Sequence, residues 1–303
     1  MEMHQLRYFV AVAEEGSFSR AAERMHVAQP SLSQQMQKLE AEVGHSLFDR
    51  LSRKVTPTEA GRQLLPYARR ILSGLLDAQR CVDELASEPS GMVAFGIIPT
   101  IAPYVLQAIL EESRTRLPRV NVIIREDFTE NLVRALDQGE IDLALVSTCR
   151  SGSGIYRKTW GVEELNLAVP AKHRLAQRRS ITWKDLRSET LLLLNESHCL
   201  AQQIHRWCDR NEIRSSSELN AFQLSTVLAL VSAGHGVSLV PAMAIPHERG
   251  WNCVFRKMRS SIPAREINVI RNPARFWSKA TAAVSEIARA IVAKQLGAAN
   301  ASR

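Results

Sequence analysis

Between Glu88 and Gly91 the chain changes its hydrophobic period, and that change limits the folds open to it. Before Glu88-Pro89-Ser90-Gly91 the apolar residues recur at helical spacing. After it, short buried-strand runs alternate with amphipathic helices. Pro and Gly so close together end a helix and mark a hinge. With 303 residues there is room for two or three domains around that hinge. The expected divisions are 1–60, a linker helix over 61–88, and an α/β region over 89–303.

The first stretch reads as short helices joined by tight turns. Leu6, Phe9, Val10 and Ala13 keep helical spacing, and Gly16 stops that helix. Ser17 or Ser19 can cap the next, which carries Ala21, Ala22 and Met25. Gln29-Pro30 opens a third, with Pro30 expected at the first helical position, where its missing N–H costs nothing. Leu32, Met36, Leu39 and Val43 share one side of it. Ser31, Gln34, Gln37 and Lys38 point the other way, and such side chains suit base edges and phosphates. A plain amphipathic helix with a solvated face would show the same third-helix pattern. The small Ala21-Ala22 pair beside a short turn favours two helices crossing closely, as in a helix-turn-helix that offers its second helix to DNA. Gly44 ends the third helix, and Leu47-Phe48 can pack under it. Asp49 to Thr58 reads as a hairpin wing whose Arg50, Arg53 and Lys54 would hold phosphates.

From Glu59 to about Ser87 the pattern is one long helix. Leu64, Ala68, Ile71, Leu75, Ala78, Val82 and Leu85 form an a/d seam of about three heptads. The helix either lies on its own domain or pairs with a second copy. The flanking charges Arg69-Arg70, Asp77, Arg80 and Asp83-Glu84 favour pairing, which would let a dimer read two half-sites.

Charge does not mark the DNA-binding end. The whole chain carries +8, which suits a polyanionic partner. Residues 1–90 hold 11 Lys/Arg against 12 Asp/Glu, so the excess lies in the remainder. Affinity for DNA must therefore come from a few placed residues. No run reaches the ~18 apolar residues that span a membrane, so no membrane partner is expected. Met1-Glu2-Met3-His4-Gln5 has no basic segment followed by an apolar one, so no signal peptide and a cytoplasmic location are expected. Cys81, Cys149, Cys199, Cys208 and Cys253 form no paired metal-ligand spacing, and no cofactor fingerprint occurs. No metal and no cofactor are expected.

Residues 3–65 resemble the winged helix-turn-helix of LysR-type transcriptional regulators. The resemblance is carried by Leu6, Phe9, Gly16-Ser17-Phe18, Ala21-Ala22, Gln29-Pro30-Ser31-Leu32-Ser33, Leu39-Glu40, Gly44, Leu47-Phe48, Arg50, Thr56, Thr58 and Ala60-Gly61. It implies that Gln29, Pro30, Ser31, Ser33, Gln34 and Lys38 approach double-stranded DNA, and that Arg50 to Lys54 touch its backbone. It also implies a homo-oligomer, a dimer or tetramer, and a regulator that can meet RNA polymerase.

Beyond the hinge the expected elements are a strand over Met92–Ile98, a helix over Ala102–Leu117, a strand over Val120–Arg125, a helix over Thr129–Gln138 and a strand over Ile141–Ser147. Such alternation implies a parallel sheet. A second unit follows with Leu165–Val169, Leu191–Leu194, a helix after Cys199, a helix over Ser225–Ala233 and a strand over Gly236–Val240. Arg265–Ile270 looks like a return strand, and Trp277–Gln295 a closing helix. These resemble the two-lobed, periplasmic-binding-protein-like effector domain of the LysR family, with lobe I over about 91–162 and 268–303 and lobe II over about 163–267. The effector there lies between the lobes, at strand ends and helix N-termini.

Within that region His198-Cys199 stands out. Cys199 follows a buried-strand pattern at the start of a helix, where the helix N-terminus favours a thiolate and a protonated His198 would add to it. A thiolate attacks peroxide and becomes a sulfenic acid, which a second cysteine can resolve. Along a helix, Cys199 and Cys208 would lie roughly 13 Å apart on opposite faces. A disulfide needs Cα atoms about 4.4–6.8 Å apart, so the bond would require this segment to unwind. Equally, each cysteine fits as a small buried hydrophobe, with His198 bonded to a backbone carbonyl.

This segment resembles the hydrogen-peroxide-sensing, OxyR-like group of the family. His198-Cys199-Leu200 with Cys208 nine positions on matches its peroxidatic and resolving cysteines, and Thr100, Thr129 and Arg265 match its effector pocket. Three features depart from that pattern or complicate it: Ser197 where glycine is usual, the extra thiol Cys149, and Glu266, which could neutralise Arg265. Two alternatives stand beside a peroxide sensor. One is a regulator binding a small organic anion, with structural cysteines. The other is a thiol peroxidase, which would leave residues 1–87 without a purpose. A regulator, not an enzyme, is expected.

Overall fold

The structure is a computed structural model that describes residues 1–49, 55–83, 88–147, 154–248, 250–259 and 262–301. The chain divides into two compact units: Met1–Ala86 with Asp137–Glu140 and Ala274–Phe276, and the remainder.

The first unit begins with α1 (Met3–Glu15), α2 (Phe18–Arg24) and α3 (Gln29–Val43). Gly16 and Gly44 close α1 and α3 in the left-handed conformation, φ 60° and 78°, which costs glycine little. Ser17 caps α2 by accepting the Arg20 N–H. The third helix starts at Gln29, so Pro30 is its second residue rather than its first, a place that still needs no N–H. Leu6, Phe9, Ala21, Ala22, Leu32, Met36, Leu39, Leu47 and Phe48 form one core, and the two alanines let α2 approach its neighbours. Strands β1 (Phe48–Asp49) and β2 (Thr56–Pro57) pair antiparallel as the base of the wing. Glu40 ties this wing to α3 by accepting the N–H groups of Leu47 (2.8 Å) and Phe48 (3.4 Å).

Helix α4 (Glu59–Asp83) follows, capped by Thr58 Oγ1 accepting the Gly61 N–H. Its expected seam is split. Ala68 is fully buried in the core of its own domain, with Leu64 packed beside it, whereas Ile71 and Val82 stay 45 % and 64 % exposed. Ala68 and Leu64 help close the winged-helix core, so these two seam positions are not open to a second copy. Leu85 lies outside the described residues.

The second unit is built on a mixed sheet. Strand β3 (Gly91–Ile97) pairs in parallel with β4 (Val120–Glu126) and β5 (Leu143–Ser147), joined through α5 (Ala102–Arg116) and α6 (Thr129–Asp137). This part keeps the expected strand–helix alternation. Strand β6 (Tyr156–Pro170) is far longer than Leu165–Val169. Its first half pairs antiparallel with β12 (Ala264–Arg271), which also pairs with β5. Its second half carries β10 (Ser238–Pro241) and β11 (Cys253–Met258), the latter meeting β7 (Ser180–Ile181). Strands β8 (Leu191–Leu194) and β9 (Ser215–Ala221) form a parallel pair, flanked by α7 (Cys199–Asn211) and α8 (Leu224–Ser232). Helix α9 (Lys279–Ala301) closes the unit. Strands β6 and β12 thus cross between the lobes. Among the described residues no helix is long and apolar enough to cross a membrane.

Candidate functional site

On α3, Gln29, Pro30, Ser31, Gln34 and Lys38 are exposed, while Leu32, Met36 and Leu39 are buried. Ser33 is half-buried, and its Oγ accepts from Gln29 Nε2 at 3.0 Å. The polar face foreseen for DNA is therefore presented outward from a fixed core. Arg50, Arg53 and Lys54 lie outside the described residues, as does Cys149.

The redox candidates sit around the start of α7. Strand β8 is buried along its length and ends at Leu194; Asn195 Oδ1 then accepts the Ser197 N–H at 2.8 Å and turns the chain. His198 then occupies the N-cap position and Cys199 the first helical turn. Cys199 is half-buried and lines a cleft of about 660 Å³ with Thr129, Glu130, Arg134, Gln202 and Arg206. Cys199 therefore stands at the N-terminal end of α7, with its sulfur on the cleft.

His198 does not add charge to it. The ring is 4 % exposed, Nε2–H donates to the Phe222 carbonyl at 2.9 Å, and Phe128 meets it edge-on with centroids 4.8 Å apart. Burial pushes its pKa below the ordinary histidine value, against the smaller upward pull of the Phe222 bond, so the ring is neutral at pH 7. The expected protonated His198 is corrected by this burial.

Cys199 and Cys208 are both free thiols in one helix. Cys208 is fully buried, and burial, reinforced by Asp209, pushes its pKa up to about 11. It is a thiol at neutral pH and a poor nucleophile until exposed.

Of the three effector-pocket candidates, Arg265 bonds Thr100 directly and Thr129 lines the Cys199 cleft. The Thr129 hydroxyl is buried with no hydrogen-bond partner among the described residues. Thr100 lines a second cavity, about 330 Å³, with His198, Phe222 and Glu126. Arg265 is fully buried and engaged, donating from Nε to Glu163 (2.7 Å), from one terminal nitrogen to Thr100 Oγ1 (2.9 Å) and from the other to the Thr100 carbonyl (3.0 Å). The anion beside Arg265 is Glu163, not Glu266, which accepts from Asn268 Nδ2 instead. Glu163 also accepts the Met243 N–H at 2.7 Å, so this buried pair joins β6, β12, the Thr100 turn and the segment after β10. The inward phase of Leu165, Leu167 and Val169 along β6 was the signal that would have found Glu163.

Comparison with known proteins agrees with this architecture. Residues 3–62 match the bacterial regulatory helix-turn-helix of the lysR family, and residues 86–293 match the LysR substrate binding domain. The chain belongs to the LysR family: it is a DNA-binding transcriptional regulator rather than an enzyme. It is 34 % identical over 274 residues to the hydrogen peroxide-inducible genes activator of Pectobacterium carotovorum subsp. carotovorum, spanning 90 % of this chain and 91 % of that one. Among solved structures it is similar to a full-length cysteine variant of OxyR from Pseudomonas aeruginosa, with TM-score 0.79 and 27 % identity over 96 % of this chain and 94 % of the other. It is likewise similar to a cysteine mutant of Corynebacterium glutamicum OxyR with hydrogen peroxide bound, with TM-score 0.68 and 30 % identity over 99 % and 95 %.

Proposed function

We propose that this regulator senses hydrogen peroxide through Cys199 and transmits the oxidation to DNA. The observation that carries the reading is that one cleft holds both the half-buried Cys199 thiol and a Thr129 hydroxyl with no hydrogen-bond partner among the described residues. Thr129 can donate to a peroxide oxygen while the Cys199 sulfur attacks. The S–O bond forms, the O–O bond breaks, and hydroxide leaves with the electron pair and takes up the thiol proton as water; sulfur is oxidised to sulfenic acid. Cys208 then attacks that sulfur, its proton leaves with the displaced hydroxyl as water, and a disulfide forms. About 13 Å of helix separates the two residues, so the second step requires α7 to unwind. A bond that exists only in the refolded segment makes a two-state switch.

The division of labour follows: 1–60 holds DNA through the α3 face and the Arg50, Arg53 and Lys54 wing, 61–88 pairs copies, and 89–303 senses. Assembly beyond a dimer, contact with RNA polymerase and a cytoplasmic location extend the same reading. An organic anion is the second effector class, favoured by Arg134 and Arg206 on the cleft wall.

Stoichiometric peroxide followed by disulfide mapping by mass, with footprinting on the bound DNA, tests the proposal. A Cys199–Cys208 bond and an altered footprint are expected, and Cys199→Ser should abolish both while leaving basal DNA binding. No such bond together with an unchanged footprint would overturn it in favour of the anion.

A further inference from the structure

We infer that the face shared by β6, β12 and α9 holds a second effector site, for a small polar molecule carrying a carboxylate or phosphate, with Arg271 as its fork. The site is a cavity of about 190 Å³, roughly the volume of six waters. Register places it: Arg271 stands opposite Tyr156 and Val269 opposite Lys158, so Arg271, Lys158 and Trp160 share one face of the sheet, and Ser285, Glu286 and Arg289 of α9 close it.

Arg271 is prepared for an anion in a way that ordinary surface arginines are not. Its guanidinium lies against Tyr156, 4.7 Å from the ring centroid, and against Trp277, 4.9 Å from the centroid. Two aromatic contacts hold the plane still. The Arg271 N–H groups form no hydrogen bond or ion pair among the described residues. A fixed guanidinium edge is the geometry that binds carboxylate or phosphate through two parallel bonds, at a smaller entropic cost than a free side chain. Lys158, equally without an acidic partner among the described residues, adds a second positive charge to the same wall. Arg289 is held by Glu286, at 2.6 and 3.1 Å, so the site keeps a net positive charge. With the two rings stacked on Arg271, the wall left to a ligand is largely polar, which selects a small hydrophilic anion over an aryl one.

This site is distinct from the peroxide cleft. It shares no lining residue with the cleft that holds Cys199 and Thr129. The ligand would touch β6 and β12, the strands that cross between the lobes.

The test is calorimetric titration of the reduced full-length protein with succinate and, separately, with inorganic phosphate, while Trp fluorescence reports on Trp277. One anion per chain is expected from at least one probe. Arg271→Gln should weaken it about tenfold or more, Arg271→Lys by less, and Thr129→Val not at all. Lys158→Ala, an exposed change, should weaken it severalfold and provides the readout if Arg271→Gln fails to fold. Absence of binding with either probe at about 10 mM, or binding that Arg271→Gln and Lys158→Ala leave unchanged, would overturn the site. A wild type that binds neither anion but loses an oligomer on Arg271→Gln would assign the cavity to a carboxylate of a second copy and also defeat the proposal.

Discussion

Cys199 and Cys208 occupy one continuous helix, the first half-exposed on a cleft and the second fully buried, its pKa raised to about 11. The reactive and the resolving roles are thereby separated by burial. Oxidation of Cys199 has no partner until α7 opens, and opening is what would deliver Cys208 to solvent and let it ionise.

Cys208→Ser should therefore leave the first oxidation intact and remove the second. After stoichiometric peroxide, a sulfenic-acid trap should label Cys199 persistently, with no intramolecular disulfide by mass. A wild type that reaches the disulfide with no loss of far-UV helical signal would contradict the unwinding of α7.

The Arg265–Glu163 pair is fully buried, and Glu163→Gln strips the arginine of its counter-charge. A loss of about 3–5 kcal/mol in urea unfolding is expected. Replacing both, Arg265→Met with Glu163→Leu, should recover part of it, because no uncompensated charge then remains. Equal losses for single and double variants would mean that the hydrogen bonds to Thr100, rather than the charge pair, carry the effect.

His198 links stability to pH. Its folded pKa is lowered by burial, so across the window below the unfolded value near about 6.5 the unfolded chain binds more protons than the folded one. The contribution is complete above that value and is lost as pH falls through the folded pKa. Unfolding free energy measured from pH 7.5 to 5 should fall, and His198→Asn, which keeps a donor for Phe222, should flatten the slope. An unchanged slope would place the titration elsewhere.

On DNA, Gln34→Ala should relax base preference with little change in salt dependence. Lys38→Ala should weaken all sequences similarly and reduce the salt slope by about 1. Competition binding at several salt concentrations separates the two, and reversed behaviour would exchange their assigned contacts.

Gly96 of β3 has no room for a methyl group: a Cβ there would lie 2.7 Å from Ile141 Cδ1 and 2.9 Å from both Ala144 Cβ and Leu132 Cδ2. Gly96→Ala should cost about 1–3 kcal/mol by overpacking, read as a lower unfolding midpoint in urea. A neutral result would show that α6 can shift away from the sheet.

What was legible along the chain was whatever depends on near neighbours. Gly16 and Gly44 announced helix ends, Ala21-Ala22 a close crossing, and Leu32, Met36 and Leu39 the buried side of α3, because capping and amphipathic spacing act within a few residues. The first half of β6 was not legible: Tyr156 to Thr159 are exposed and polar, so they show no apolar run, and only pairing with β12 makes them a strand. Strand β11 has an apolar run of only three residues, Cys253-Val254-Phe255, and its pairing with β6 makes it a strand.

The sequence by itself determined the helices of the DNA-binding end, the hinge after them, and the placing of Cys199 at a helix start. Tertiary structure alone decided the charges and the access. It buried His198 and so made it neutral, matched Arg265 with Glu163 from 102 residues away, bonded Arg265 to Thr100, and drew Leu64 and Ala68 into their own domain's core. Desolvation and ion pairing depend on which distant groups share a space, and the order of residues does not contain that until the chain has folded.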